Sequence, residues 1–434
     1  MESHAHGKQT HLLAKDISAA PSPLVPPTSH SPRILVVGGG VIGLTTAWLL
    51  LDRGFHVTIV SREWPTFGDD AGPRLTSQIA GALWELPPAG CGPQALQAKL
   101  QTVQRCALES LAVYRAVVEQ PALASAFGVQ MRMFTAFHLN HIDDDEVKRD
   151  KIKLIKQVKL EGFSRGTHLL DKYGVNVASH GGLKDSYEHL APVIDTDVSM
   201  AFLTRLVKAK GARLETDTIH GALLAQEDHL LTTYNAAALV NATGVWAGEL
   251  ASDATVYPLR GGVLRLINDG SSFPKVENAM VVSTETKRDG NFRDMAFVLP
   301  RNDNILLLGS ILHQDSWLLD LTPTCAQVQE MRRRCEDLLP ALKNAKVDER
   351  YPLAQGRRPM RVDHVRVERE TGETPSGRQS RTVHSYGHGG AGWSFAIGSA
   401  RDVVRLVQGM LQDGQQEVAS SGGGSAQSPP LSKL

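Results

Sequence analysis

The chain has 434 residues, 42% hydrophobic and 21% charged, the balance of a globular protein with core enough for two domains. Lys+Arg and Asp+Glu both total 46, so no overall charge draws it to nucleic acid or to an anionic membrane. The four cysteines, Cys91, Cys106, Cys325 and Cys335, show no C-x-x-C pair and no disulfide or zinc spacing, and read as free thiols.

Residues 1–32 are rich in Ser, Pro and His and lack the apolar core of a secretory signal, while Glu2 and Asp16 argue against a transit peptide. They read as a disordered tail. The apolar run 34–50 is interrupted by Gly38, Gly39, Gly40 and Gly43, so it is not a membrane span. It reads instead as a strand over Arg33–Val37 and a helix over 41–53, followed by a second strand at 56–60. Helices are expected over 93–118, 143–159 and 200–209, with strands at Arg213–Thr216 and 237–241. The runs 296–300 and 304–309 flank a polar turn and form a hairpin. A charged amphipathic helix covers 325–338, and a strand at 381–384 leads through a glycine-rich turn to a closing helix at 399–412.

Gly38-Gly39-Gly40-Val41-Ile42-Gly43 opens a helix directly after a strand, the arrangement of a dinucleotide-binding turn. Gly38 permits the tight turn, Gly40 lets backbone approach a pyrophosphate, and Gly43 lets the helix pack close to the sheet. Glu63, about 20 residues on, suits the adenosine ribose, with the adjacent Arg62 competing for that role or pairing with phosphate. The motif leaves FAD and NAD both open. His384 and His388 have H-x-x-x-H spacing, but the glycines around them argue against a helical metal site. The sequon at Asn241 ends a buried strand and is set aside.

Further along, five segments in order across residues 33–400 resemble the D-amino-acid oxidase family. They are the glycine turn; the loop Thr76-Ser77-Gln78-Ile79-Ala80-Gly81-Ala82-Leu83-Trp84; and Asn241-Ala242-Thr243-Gly244-Val245-Trp246 with Arg260-Gly261-Gly262 after it. The last two are Gly356-Arg357-Arg358-Pro359, and the stretch from His384 through Gly387, Gly389, Gly390, Ala391, Gly392, Trp393 and Ser394. The resemblance implies FAD as cofactor and an α/β fold, a discontinuous Rossmann-type domain joined to a mixed-sheet α+β substrate domain. The cofactor domain is expected from residues 33–90, 190–255 and 378–412, the substrate domain from 91–189 and 256–377, and a flexible tail from 413–434.

It also implies that Arg358 grips a substrate carboxylate, that the Gly390 carbonyl accepts from the amine, and that N–H groups from Trp393 onward face reduced flavin. An arginine fork suits a carboxylate because two parallel donors fix its orientation. The expected activity is oxidation of a D-amino acid, with oxygen as acceptor and hydrogen peroxide as product. Phe297 stands where the family usually carries tyrosine, and Ser385 and Ala391 replace its usual Asn and Tyr. Lys287, Arg288 and Arg293 lie in the preceding lid region. A pocket for an acidic substrate, a pocket for another amine, and merely solvated lid charges all stay open, as do an inactive flavin-binding interaction protein and a homodimer. Ser432-Lys433-Leu434 matches the tripeptide read by the peroxisomal import receptor, giving a peroxisomal expectation.

Overall fold

The structure is a computed structural model that describes residues 12–67, 74–87, 97–283, 295–362 and 364–422. Ser432-Lys433-Leu434, the lid cations Lys287, Arg288 and Arg293, and Cys91 lie outside the described residues. Cys106, Cys325 and Cys335 are free thiols. Among the described residues no helix is long and apolar enough to cross a membrane.

Two sheets organise the chain. In the first, Arg33–Val37 is flanked by His56–Ser61 and Ala238–Asn241, with Arg213–Thr216 beyond one and Thr382–Tyr386 beyond the other, all parallel. On all but the edge strand Arg213–Thr216, their β-branched and leucine side chains are buried on both faces, as a parallel sheet covered by helices requires. In chain order these strands run 3-2-1-4-5 across the sheet, so connections leave in opposite directions from either side of Arg33–Val37. That switch point opens a crevice at the strands' carboxyl ends. The helix Val41–Asp52 leaves there and is buried on nearly every side. The sequence-predicted boundaries of these elements hold to within a few residues.

The second sheet is mixed and built around Val256–Ile267, which pairs with Ile305–Gly309, His313–Gln314 and Leu353–Arg361. The predicted hairpin forms between Ala296–Pro300 and Ile305–Gly309. Ala279–Ser283 joins it to Val129–His138, which pairs along its length with Asp185–Ile194.

Several expectations need correction. Residues 12–32 are not a disordered tail. Leu12–Ala14 pairs with Ile17–Ser18, and the buried Asp52 carboxylate accepts from Ser18 N at 2.9 Å, Leu24 N at 3.1 Å and Lys210 Nζ at 2.6 Å. Trp48 Nε1 donates to Ser18 O at 2.8 Å. The segment is tied down through its backbone, which composition cannot register. The closing helix spans Gly392–Gly422 rather than 399–412. Its early glycines serve contact, since a Cβ on Gly398 would lie 2.3 Å from Cys106 Cα on the helix Gln97–Val118. That helix packs against the closing helix and so accompanies the first sheet, not the predicted substrate domain. Arg366–Arg369, also assigned to the substrate side, edges the first sheet, while Asp185–Ile194 lies wholly in the second.

His138 and His189 are buried on the paired strands Val129–His138 and Asp185–Ile194, and burial pushes them down to about 3 and about 4 respectively. Both stay neutral in the fold and take up protons on unfolding below their ordinary value of 6.5, so stability falls as pH drops from about 6.5 towards about 4. His138 stacks on Tyr187 at 5.7 Å. His138→Phe keeps a ring there without a titrating group, and is expected to flatten the dependence of the urea midpoint on pH over that window. An unchanged slope would remove His138 from the acid sensitivity.

Candidate cofactor cleft and active site

A cavity of about 740 Å³ runs along the crevice and onto the second sheet. The glycines of both turns except Gly43 and Gly387 line it, as do Arg62, Glu63, Thr76, Ser77, Phe297 and Arg358, so the N-terminal glycine turn and the late glycine-rich segment share one cleft.

The turn is built by exclusion. Gly38 has φ 118°, and a Cβ there would lie 2.3 Å from the Ala242 carbonyl oxygen. A Cβ on Gly43 would lie 1.9 Å from the Gly38 carbonyl oxygen, so Gly43 packs the helix onto the turn and lies behind the cavity wall. Gly40 faces the cavity as the helix N-cap, with no side-chain cap and no acidic residue in the first turn. Val41 N–H is taken by Ser77 Oγ, and the N–H groups that follow it, with the helix dipole, favour a phosphate.

The ribose end differs in detail from the sequence reading. Glu63 and Arg62 both line the cavity, but they pair with each other at 2.9 Å and lie beyond the strand. Ser61 ends the strand, where its Oγ accepts from Gly39 N at 3.1 Å and donates to Glu63 O at 2.6 Å. Ser61 carries no charge, so nothing in the sequence marks it; the end of the strand alone brings its hydroxyl to Gly39.

The loop from Thr76 to Leu83 forms the middle wall. Ser77 Oγ accepts from Val41 N at 3.0 Å, and Ser77 O accepts from Trp393 Nε1 at 2.9 Å, so one residue fastens the first glycine turn to the last. Thr76 Oγ1 donates to Arg357 O at 3.3 Å. The buried Arg301 donates to Ala80 O at 2.5 Å and Ile194 O at 2.7 Å, holding the strand of backbone that carries Gly81 and Ala82. Burial pulls its guanidinium down to about 10.

Thr243 and Gly244 line the cavity beneath a buried polar chain. Thr243 Oγ1 donates to Asn241 Oδ1 at 2.7 Å, Asn241 Nδ2 meets His384 Nδ1 at 3.3 Å, and His384 Nε2 meets Glu370 at 2.9 Å. His388 contacts Ser399 Oγ at 3.1 Å instead. The two imidazoles therefore have separate partners. Gly389, Gly390, Ala391, Gly392, Trp393 and Ser394 close this side of the cavity.

At the far end Arg358 Nη2 donates to Ser310 Oγ at 2.7 Å and Nη1 to Ile311 O at 3.3 Å. Its side chain lies across Gly261, where a Cβ would come within 2.0 Å of Nη1. Among the described residues no carboxylate pairs with Arg358. Phe297 lies over Gly309, where a Cβ would meet its ring at 2.3 Å, and with Met280, Val281 and Leu299 it makes an apolar wall. Ser310 was not legible beforehand, because the fold alone brings it to Arg358. Glu85, also unforeseen, lines the cavity and binds the buried Lys151 Nζ at 2.5 Å.

An uncapped helix end for a diphosphate, a glycine-built cradle and an apolar wall for a flat ring fit a flavin dinucleotide, and define a Rossmann-type flavoprotein. The comparisons give the family. Residues 33–406 match the model of the family described as FAD dependent oxidoreductase, and this protein belongs to it. The chain is 32% identical to the D-amino-acid oxidase of Streptomyces coelicolor over 377 residues, covering 86% of this chain and 96% of that one. It is 28% identical to that of Rubrobacter xylanophilus over 380 residues, covering 87% and 97%. Among solved structures, the glycine oxidase from Geobacillus kaustophilus superposes with TM-score 0.64 at 17% identity, covering 87% of this chain and 95% of the other. Iminodiacetate oxidase from Chelativorans gives 0.63 at 16% over the same shares. The cofactor is FAD.

Ser77→Ala removes the acceptor for Val41 N while leaving the backbone bond from Trp393. The expected loss is about 0.5–1.5 kcal/mol, read as a lower denaturant midpoint with unchanged slope. An unaltered midpoint would show that water replaces the hydroxyl at no cost.

Proposed function

We propose that this protein is an oxidase that breaks the Cα–H bond of a D-amino acid and releases an imino acid, which hydrolyses to a keto acid and ammonia. The observation that carries the reading is Arg358: a guanidinium on the wall of the cofactor cavity, held by Ser310 and Ile311 O, with no carboxylate paired to it among the described residues. A substrate carboxylate supplies the missing charge, and a bidentate grip fixes Cα in one orientation. The Gly390 carbonyl accepts from the substrate amine. Phe297, Leu299 and Met280 keep water from the reacting carbon. FAD held in the cleft would supply a two-electron acceptor for the hydride from Cα, with oxygen as the final acceptor and hydrogen peroxide as the product. Alignment does most of the work, so no acid–base side chain is needed beside Cα.

A second reading, another carboxylate-bearing amine, is favoured by Phe297, which offers no hydroxyl to share the carboxylate with Arg358. A peroxide-coupled screen of D-amino acids, glycine and N-substituted glycines separates the two. Turnover of D-amino acids is expected; activity confined to glycine derivatives would replace the first reading with the second.

Arg358→Lys exchanges the fork for a point charge. It is expected to raise KM about 10- to 100-fold with the flavin spectrum retained, the equivalent of about 1.5–3 kcal/mol in charge-assisted bonding. Ser310→Ala, which only frees the fork, should raise KM by less. Parental KM in Arg358→Lys would sink the clamp.

A further inference from the structure

Four side chains from four separate segments meet where three of them, Arg62, Trp246 and Arg357, line the cavity, with Trp317 packed on Trp246 and Arg357 outside its wall. Arg62 follows the strand His56–Ser61, and Trp246 ends the turn after Ala238–Asn241. Arg357 lies on Leu353–Arg361, and Trp317 is on the strap between His313–Gln314 and the helix Ala326–Leu338. The Arg62 guanidinium sits 4.6 Å from the Trp246 ring centroid, Trp246 and Trp317 lie 5.4 Å apart, and the Arg357 guanidinium is 5.7 Å from the Trp317 ring. Arg357 Nε also donates to Trp317 O at 2.9 Å. The result is a ladder of cation, ring, ring and cation.

The strap is pinned on its far side. Arg260 bonds Asp320 and donates to Leu318 O at 3.3 Å, and the Gln355 amide exchanges two bonds of 3.1 Å with Leu321. Yet Trp317 is 45% exposed and Trp246 36%, a poor use of two indoles unless something covers them. Arg62, Trp246, Arg357 and Leu319 line the same cavity as the uncapped helix end at Gly40. Among the described residues Glu63 is the carboxylate paired with these two guanidiniums, through Arg62, which leaves one positive charge in surplus.

We propose that the strap is a cofactor clamp: Trp317 and Trp246 close over the cleft, and Arg357 with Arg62 holds the diphosphate of FAD, so that this ladder governs how fast the cofactor leaves. Rings and guanidiniums stiffen one another, so losing one rung loosens the rest. The inference rests on FAD as cofactor and is independent of the substrate.

The test uses the full chain stripped of FAD, with titrations followed by flavin fluorescence and release followed after dilution. Trp317→Ala is expected to raise the FAD dissociation constant about 10-fold, chiefly through faster release, while Trp317→Phe stays near the parent. Arg357→Gln should weaken both FAD binding and competition by ADP, and reduce the dependence of each on salt. An unchanged FAD release rate in Trp317→Ala would overturn the clamp, as would an apoprotein melting temperature that falls with no change in FAD affinity, which marks a purely structural strap. Parental ADP competition in Arg357→Gln would overturn the diphosphate contact.

Discussion

The cleft depends on the backbone of the first glycine turn lying against the turn that follows Ala238–Asn241. Gly38 can approach the Ala242 carbonyl only because it has no side chain, and Gly43 can approach Gly38 for the same reason. Ser77 then fastens this pair to the start of the closing helix with two hydrogen bonds. Segments more than three hundred residues apart in the chain are thereby held as one wall. A discontinuous domain has to be closed this way, because no local propensity joins its ends.

Around that wall the molecule divides its tasks between the sheets. The parallel sheet offers N–H groups and a helix dipole where negative charge must rest, and keeps its side chains out of the way. The mixed sheet offers the side chains: Arg358, Phe297 and Met280 reach the cavity from it, as does Arg357 at the mouth. The glycine cradle is thus built mainly by backbone, and the wall that carries Arg358 and Phe297 by side chains. A substitution such as Phe297 can therefore accumulate on the mixed sheet without disturbing the glycine turn, whereas Ser385 and Ala391 belong to the strand Thr382–Tyr386 of the first sheet and to the turn after it.

How much was legible beforehand follows from that division. The glycine turn could be read because its constraint is steric and local: strand, three glycines, helix. The hairpin at Ala296–Pro300 and the strands of the first sheet carried their own patterning of apolar runs between polar turns. Ser61 was passed over because its role depends on ending a strand, not on its charge. Ser310 meets Arg358 only through the pairing of Val256–Ile267 with both of its neighbours, and Trp317 meets Trp246 across two sheets. Such contacts have no signature in a single segment. The start of the closing helix is hidden for a related reason: Gly398 looks like a break in a string of letters, and acts as a close-contact position in space.

The ordered segment near residue 18 has a consequence for how the protein can be handled. Lys210 and Asp52 form an ion pair whose side chains are fully shielded from solvent, and the carboxylate's other donors are backbone amides from that segment. A chain trimmed to begin at Arg33 would keep the whole sheet, yet would leave those oxygens short of donors and strip the cover from Trp48. Burying a charge without its full complement of bonds is among the costlier defects a fold can carry. The first stretch of the chain is in effect the missing side of the core, and shortening it would weaken the cofactor domain from behind.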